Sequence, residues 1–298
     1  MNATGKDRAT KNERRELARE TARQMREQEK KRAKRNRLFV QSGVVLGVVA
    51  IGVVISLIVL NSIRPEGPSP ANMATDGIKI GQNLVAEKTP ARDVGTPPSV
   101  PVEPNEDGTP SLRLYLDYNC VHCATFEAEN NAQLKAWLEN GAITLELHPV
   151  SILDSSSRYS TRSANAAACV ANYSPDTFFD FNAAMFAARP VDGSGLSDDA
   201  ILEVIKNSGV EKFEEIQSCI ADGTYKNWTK RATEQVFKDT SLHYKNSFGT
   251  PTLVVNGVRY PSETLGNSKE AIAQFLNLTE SNSAQQKIET EQKDEPKG

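Results

Sequence analysis

Histidine and cysteine are scarce in this chain, with three histidines and four cysteines among 298 residues. A zinc site needs about four nitrogen or sulfur ligands, usually from two closely spaced motifs. The sequence offers one such motif, in which His122 lies between Cys120 and Cys123. The remaining cysteines, Cys169 and Cys219, are not a close pair. Half of a zinc site is therefore a weaker interpretation of the motif than a redox-active dithiol.

The position of the C-x-x-C motif favours redox chemistry. It follows the apolar run 112–116 and precedes a helical pattern, so the first sulfur should lie at a helix N-terminus, where free N–H groups and the macrodipole favour an anion. We therefore predict that Cys120 is partly thiolate near neutral pH. His122 is a second cation-capable group, expected to make the pair more oxidising. An inert bridge between Cys120 and Cys123 remains an alternative, and no cofactor or metal is implied.

The N-terminal arm, residues 1–37, is strongly basic. It holds fourteen Lys or Arg and six Asp or Glu, a net charge of +8, whereas the whole chain has a formal charge of −3. The rest of the chain therefore carries −11. No aromatic residues are interleaved with the basic ones, so nucleic-acid binding is not predicted.

An apolar run of 23 residues, 38–60, follows the basic arm. At ~1.5 Å per residue such a helix spans about 35 Å, enough for a hydrocarbon core of ~30 Å. A cleaved signal peptide is the alternative, but the run exceeds the ~7 to 15 residues of its apolar region and lacks a small-residue cleavage site. The positive-inside rule then predicts a single-pass protein of the cell membrane, with a cytoplasmic N-terminus. All four cysteines fall on the outer side, where disulfides persist.

Composition divides the remainder of the chain into three parts. Prolines mark residues 61–71 as a stiff tether, and residues 280–298 are polar enough to predict a disordered tail. Between them, residues 72–279 are long enough to bury one substantial core. An alternating segment at 76–80 suggests a short strand that belongs to this domain.

The order of the predicted strands and helices indicates an α/β fold interrupted by a helical insertion. A strand (111–118), a helix (120–139, with Gly141 just past its end) and a second strand (143–147) predict parallel neighbours. Five helical stretches form an insertion at about 155–245: 159–172, 175–188, 197–207, 211–221 and 225–243. Two short strands flank Asn256-Gly257, a type I′ hairpin signal, and a final helix spans 268–276.

These features together carry a family resemblance. The segment Asp117-Tyr118-Asn119-Cys120-Val121-His122-Cys123, the helical insertion and Gly249-Thr250-Pro251-Thr252 before a strand resemble the DsbA branch of the thioredoxin fold. In particular, they are similar to the membrane-anchored DsbA-like thiol–disulfide oxidoreductases of Gram-positive actinobacteria. The chain departs from that family at Val121, where proline is common, and by having no tryptophan before Cys120.

The resemblance implies roles for further residues. Thr250-Pro251 should be a cis peptide beside the sulfurs, with the Thr250 backbone free to pair with a substrate strand. Asp117 is a candidate proton acceptor for Cys123, although a carboxylate that ends a strand is more often solvated.

Cys169 and Cys219 both fall within the predicted helical insertion. They are expected to form a structural disulfide between two helices, as related proteins do. A relay dithiol that reoxidises the active site is the functional alternative.

The predicted function is disulfide donation to unfolded, exported proteins through the C-x-x-C pair, with reoxidation by a quinone-linked partner in the membrane. A reductase or isomerase of the cell envelope is the enzymatic alternative, distinguished by a lower redox potential. A binding module that uses the same fold without catalysis is the third possibility. It predicts that replacing Cys120 leaves the biological phenotype intact.

Overall fold

The computed structural model describes residues 16, 19–20, 22–23, 25–32 and 67–294, with side chains as far as Ser281. The chain divides into two compact units, Met1–Pro65 and Glu66–Gly298. In the first unit, residues 25–32 are helical. Among the described residues, no helix combines the length and the apolar character needed to cross a membrane. The predicted span, 38–60, lies outside them.

The second unit is built on a five-stranded mixed sheet. Its strands are β1 (Ile78–Ile80), β2 (Ser111–Leu116), β3 (Thr144–Pro149), β4 (Thr252–Val255) and β5 (Val258–Arg259). They lie in the order β1-β3-β2-β4-β5. As predicted, β2 and β3 are parallel, while β4 pairs antiparallel with both β2 and β5.

Eight helices accompany the sheet in this unit. They are α1 (Val121–Glu139), α2 (Tyr159–Tyr173), α3 (Phe178–Ala187), α4 (Asp198–Asn207), α5 (Phe213–Asp222), α6 (Lys226–Lys238), α7 (Ser262–Leu265) and α8 (Lys269–Asp294). Helices α2 to α6 form the predicted insertion between β3 and β4. This order confirms the predicted α/β thioredoxin fold with an all-helical insertion.

Helix α1 forms because its apolar residues recur at helical spacing. Cys123, Phe126, Leu134 and Leu138 are buried on one side, which is the i, i+3, i+4 pattern of a helix that packs against a core. Gly141, with φ +69°, ends it, and its N–H bonds to the carbonyl of Leu138. Such a left-handed position just past a helix favours glycine.

Helix α2 is the centre of the insertion. It contacts all four other insertion helices, and alanines make up much of its buried surface. Small side chains allow helix axes to approach closely, so a buried, alanine-rich helix suits a central position. The core is continuous from the sheet through α1 into these helices.

The N-terminal segment of this unit is tied to the insertion. The backbone N–H of Ala71 donates to Asn172 Oδ1 at 2.9 Å, and Asn72 Nδ2 donates to the carbonyl of Ala171 at 2.9 Å. Further along, Trp228 Nε1 on α6 donates to Asp76 Oδ1 at 2.9 Å, and Arg92 forms an ion pair with Asp76.

Three boundaries differ from the sequence predictions. Ser69 and Pro70 are buried, so the folded domain begins inside the predicted tether. Helix α6 stops at Lys238, because Asp239 caps the short 3₁₀ turn Thr240–Leu242 by accepting from Ser241 N–H at 3.0 Å. Helix α8 continues to Asp294, through most of the tail predicted as disordered. Glu, Gln and Lys are frequent there, and these residues favour helix even without burial.

Candidate active site

Cys120 and Cys123 lie at the N-terminus of α1, as the motif predicts. Cys120 is the N-cap residue, and both are free thiols. Their exposed fractions are only 4% and 1%. A tight turn leads from β2 into the helix, in which the N–H of Cys120 donates to the carbonyl of Asp117 at 2.9 Å.

The loop before β4 brings Thr250 to the same place. Because β4 pairs antiparallel with β2, with Tyr115 opposite Thr252, the residues that precede β4 lie beside the end of β2. The Cys120 thiol donates to the carbonyl of Thr250 at 3.2 Å. The Thr250–Pro251 peptide is cis, which confirms the prediction made for it.

The surroundings of Cys120 stabilise its thiolate. They lower the pKa of Cys120 to about 6, chiefly because the Cys123 thiol donates a hydrogen bond to its sulfur. Burial opposes this, and the backbone N–H groups of Cys123 and His122 add to it. With a pKa near 6, about 90% of a thiol is ionised at pH 7. Cys120 is therefore a nucleophile and a good leaving group.

Cys123 has the opposite character. Complete burial raises its pKa well above the usual value, and the neighbouring Cys120 raises it further. A thiol in this state is largely protonated at neutral pH and reacts slowly as a nucleophile. Their different surroundings therefore give the two sulfurs of the motif different reactivities: Cys120 is largely ionised and Cys123 is largely protonated.

His122 is exposed and lines a groove beside the sulfurs. It acts on Cys120 through its backbone N–H. Whether the imidazole makes the pair more oxidising stays a prediction.

Asp117 is fully buried rather than solvated. Its Oδ1 accepts from Asn119 N–H at 2.8 Å and from the Ser160 hydroxyl at 2.7 Å. Its Oδ2 accepts from the N–H groups of Ile152 and Leu153 at 2.8 and 2.9 Å. Burial raises the pKa of this carboxyl, although these four donors favour its charged form. Asp117 therefore joins the active-site turn to the start of the insertion.

A second buried carboxyl, Glu127, lies on α1 one turn beyond Cys123. It accepts from Asn182 Nδ2 at 2.6 Å, and Tyr118 donates to Asn182 Oδ1 at 3.0 Å. Burial raises the pKa of Glu127. Glu127 was not among the predicted site residues, although a glutamate on the buried face of an amphipathic helix is a detectable signal.

Cys169 on α2 and Cys219 on α5 form a disulfide, with Cα atoms 6.0 Å apart. This is the expected pairing between two helices of the insertion. Within the described part of the chain, no group of three or more His, Cys, Asp or Glu side chains is placed to hold a metal ion.

The groove beside Cys120 lies on the Thr250 side of the active site. Its lining includes His122, Tyr244, Phe248, Pro251 and Arg259. Tyr244 is 42% exposed. Aromatic and cationic side chains therefore stand next to the Thr250 backbone.

Comparison with known proteins agrees with this geometry. Residues 104–275 match the sequence profile of the thioredoxin family. No curated protein sequence matches the chain.

Solved structures give three further comparisons. BdbD from Bacillus subtilis has 15% identity and a TM-score of 0.52, covering 72% of this chain and 99% of its own. DsbA from Mycobacterium tuberculosis has 25% identity and a TM-score of 0.46, covering 66% and 92%. MdbA from Actinomyces oris, a thiol–disulfide oxidoreductase, has 24% identity and a TM-score of 0.49, covering 57% and 81%. The likeness to BdbD shows a shared fold.

Proposed function

Because this chain belongs to the thioredoxin family, we propose that it is a thiol–disulfide oxidoreductase that donates disulfides to unfolded proteins outside the cytoplasm. The observation that carries the proposal is the opposite tuning of the two thiols, with the pKa of Cys120 lowered to about 6 and that of Cys123 raised. Residues 38–60 would anchor the protein in the cell membrane, and the basic arm would hold its N-terminus inside.

The reaction begins from the oxidised pair. A substrate thiolate attacks Cys120 Sγ, the Cys120–Cys123 bond breaks, and Cys123 leaves and takes up a proton. A second substrate thiolate then attacks the substrate sulfur of the mixed disulfide, and Cys120 leaves as a thiolate. The substrate gains a disulfide and the enzyme gains two electrons and retains both sulfurs in reduced form.

The tuning of the sulfurs supports the proposed direction of transfer. A thiol of low pKa leaves readily, so the mixed disulfide at Cys120 is easily resolved by the substrate. Cys123 is buried and protonated, so it competes poorly for the same bond. A reductase needs the reverse, a second cysteine that attacks the mixed disulfide quickly. The arrangement therefore favours donation over reduction.

Two partners are implied by this cycle. The substrate would lie as an extended strand along the half-exposed backbone of Thr250, whose carbonyl is already beside Cys120. Main-chain pairing of this kind accepts many sequences. The reduced pair must return its two electrons to an oxidant, for which we propose a quinone-linked protein of the membrane.

The proposal is tested by a redox titration of the protein and by an assay of disulfide transfer. Equilibration with glutathione buffers should give a potential above that of the glutathione couple, because the thiolate stabilises the reduced form. The oxidised protein should also oxidise a reduced peptide that contains two cysteines, with one disulfide formed per enzyme molecule. A potential as low as that of a reductase, or no transfer from the oxidised protein, would contradict the proposal.

A further inference from the structure

Arg189 connects the helical insertion to the active-site turn. It lies just after α3, in the segment that leads to α4, and is half-buried. Its Nε and Nη2 donate to the backbone carbonyl of Asn119 at 3.1 and 2.8 Å, and its Nη1 donates to the carbonyl of Pro190 at 3.2 Å. Two of its hydrogen bonds therefore converge on the residue that precedes Cys120.

The carbonyl that Arg189 holds belongs to the peptide unit shared by Asn119 and Cys120. The nitrogen of that unit donates to the carbonyl of Asp117, and the N–H of Asn119 donates to Asp117 Oδ1. One side of the turn is thus fixed by Asp117 and the other by Arg189. Since the peptide bond is planar, fixing its carbonyl also fixes the nitrogen of Cys120.

The segment around Arg189 is itself held in place. Gly195 has φ +77°, and a Cβ there would lie 2.3 Å from the ring of Tyr159, so this segment is packed directly on that tyrosine. Tyr159 begins α2, and the next residue, Ser160, binds Asp117. The segment that follows Arg189 is therefore anchored at Gly195 to the start of α2.

We propose that Arg189 is a positioning residue for the reactive thiol: it fixes the Asn119–Cys120 peptide so that the first N–H groups of α1 face the Cys120 sulfur. The inference rests on the proposed function, in which Cys120 is the attacking and leaving sulfur. The helical insertion, to which Arg189 belongs, would then fix the geometry of the active-site turn between β2 and α1.

An arginine suits this position better than other cations. Its planar fork presents two N–H groups to one acceptor, whereas a lysine ammonium is a point charge without a fixed direction. Lysine at position 189 would keep the charge and lose the orientation. Comparing the lysine variant with the methionine variant therefore separates the orientation of the peptide from the charge at position 189.

The experiment compares Arg189→Met with Arg189→Lys and with the control Arg162→Met. Arg162 is a matched control because it is also an insertion arginine, bonded to Ser157, Leu196 and Asp198, but without a bond to the active-site turn. The readouts are thiolate absorbance against pH, the rate of alkylation by iodoacetamide, and denaturant unfolding of the reduced protein.

Arg189→Met should raise the pKa of Cys120 by roughly half a unit to one unit, because misaligned helix N–H groups stabilise the thiolate less. Alkylation near pH 6 should slow by about two-fold to five-fold as the thiolate fraction falls. Arg189→Lys should lie between Arg189→Met and wild type. Arg162→Met should lose similar stability while the pKa of Cys120 stays at the wild-type value.

Equal pKa values for Arg189→Met and Arg162→Met would overturn the inference. If Arg189→Met does not fold, Arg189→Lys decides: a pKa above wild type supports the inference and an unchanged one overturns it. Failure of the proposed function is seen separately, because oxidised wild type would then fail to form a disulfide in the test peptide, whatever the thiol pKa of the variants.

Discussion

The two cysteine pairs differ in their chemistry although all four sulfurs are buried. Cys120 and Cys123 are 4% and 1% exposed, while Cys169 and Cys219 are 0% and 5% exposed. The first pair faces polar groups: a carbonyl, helix N–H groups and each other. The second pair joins two packed helices and is bonded. Burial alone therefore does not make a cysteine inert, and the polar groups around the sulfur distinguish a reactive pair from a structural one.

The largest effect should come from removing one sulfur of the first pair. Cys120→Ser should reduce disulfide transfer to the uncatalysed rate, because the other thiol of the motif, Cys123, is protonated and reacts slowly. At pH 6 or below, where the thiolate adds little, stability should change by less than about 1 kcal/mol, as for a near-isosteric substitution. Transfer to a fluorescent dithiol peptide measures the first quantity and urea unfolding the second. Substantial transfer by the variant would remove the distinction between the pairs.

The second pair should show the reverse result. Changing both Cys169 and Cys219 to Ser should lower the free energy of unfolding by up to roughly 4 kcal/mol, the chain-entropy value for a loop of about 50 residues. At low temperature, disulfide transfer should remain close to that of wild type. Thermal unfolding and the transfer assay together check this. Loss of transfer with normal stability would instead indicate a relay dithiol.

Cys123 should lower the pKa of Cys120 by more than His122 does. Cys123→Ala should raise the pKa of Cys120 by a unit or more, roughly, because it removes the hydrogen bond that lowers this pKa most. His122→Ala keeps its backbone N–H, so the shift should be smaller. Thiolate absorbance of the two reduced variants compares them. A larger shift for His122→Ala would show that the imidazole charge is the dominant influence.

The smallest expected effect is the change in the stability of the reduced protein with pH. The folded protein lowers the pKa of Cys120 to about 6, so between about pH 6 and pH 8 the unfolded chain binds a proton there that the native state does not, and stability rises with pH. The slope is at most about 1.4 kcal/mol per pH unit, and the gain is lost as pH falls through 6. The difference between reduced and oxidised unfolding curves isolates it, because buried carboxyls such as Asp117 contribute to both forms. A difference that falls with rising pH would contradict the assigned thiolate.

Much of this fold was predictable because its signals are local. The apolar strands, the helix that ends before Gly141 and the Asn256-Gly257 turn each follow from backbone preferences of a few residues. At that turn, φ is +50° at Asn256 and +79° at Gly257, as a type I′ hairpin requires. The C-x-x-C pair and Thr250 were found for the same reason, with the family resemblance supplying the second half of the site.

The residues that sequence reasoning missed act over long separations. Arg189 meets Asn119 across seventy positions, and no periodicity or spacing connects them. The burial of Asp117 depends equally on donors that arrive from residues 152, 153 and 160. Such contacts exist only once the insertion has packed on the sheet, so they belong to tertiary structure.

The hydrogen bonds at Ala71 and Asn72 also determine where a mechanical load enters the domain. A pull along the chain ahead of residue 67 reaches α2 through Asn172 and Ala171 before it reaches the first strand. The hydrogen bond between Trp228 on α6 and Asp76 would bear part of the same load. The insertion therefore anchors the segment before β1, so the sheet that carries the reactive sulfur is not the first element to bear a load on that segment.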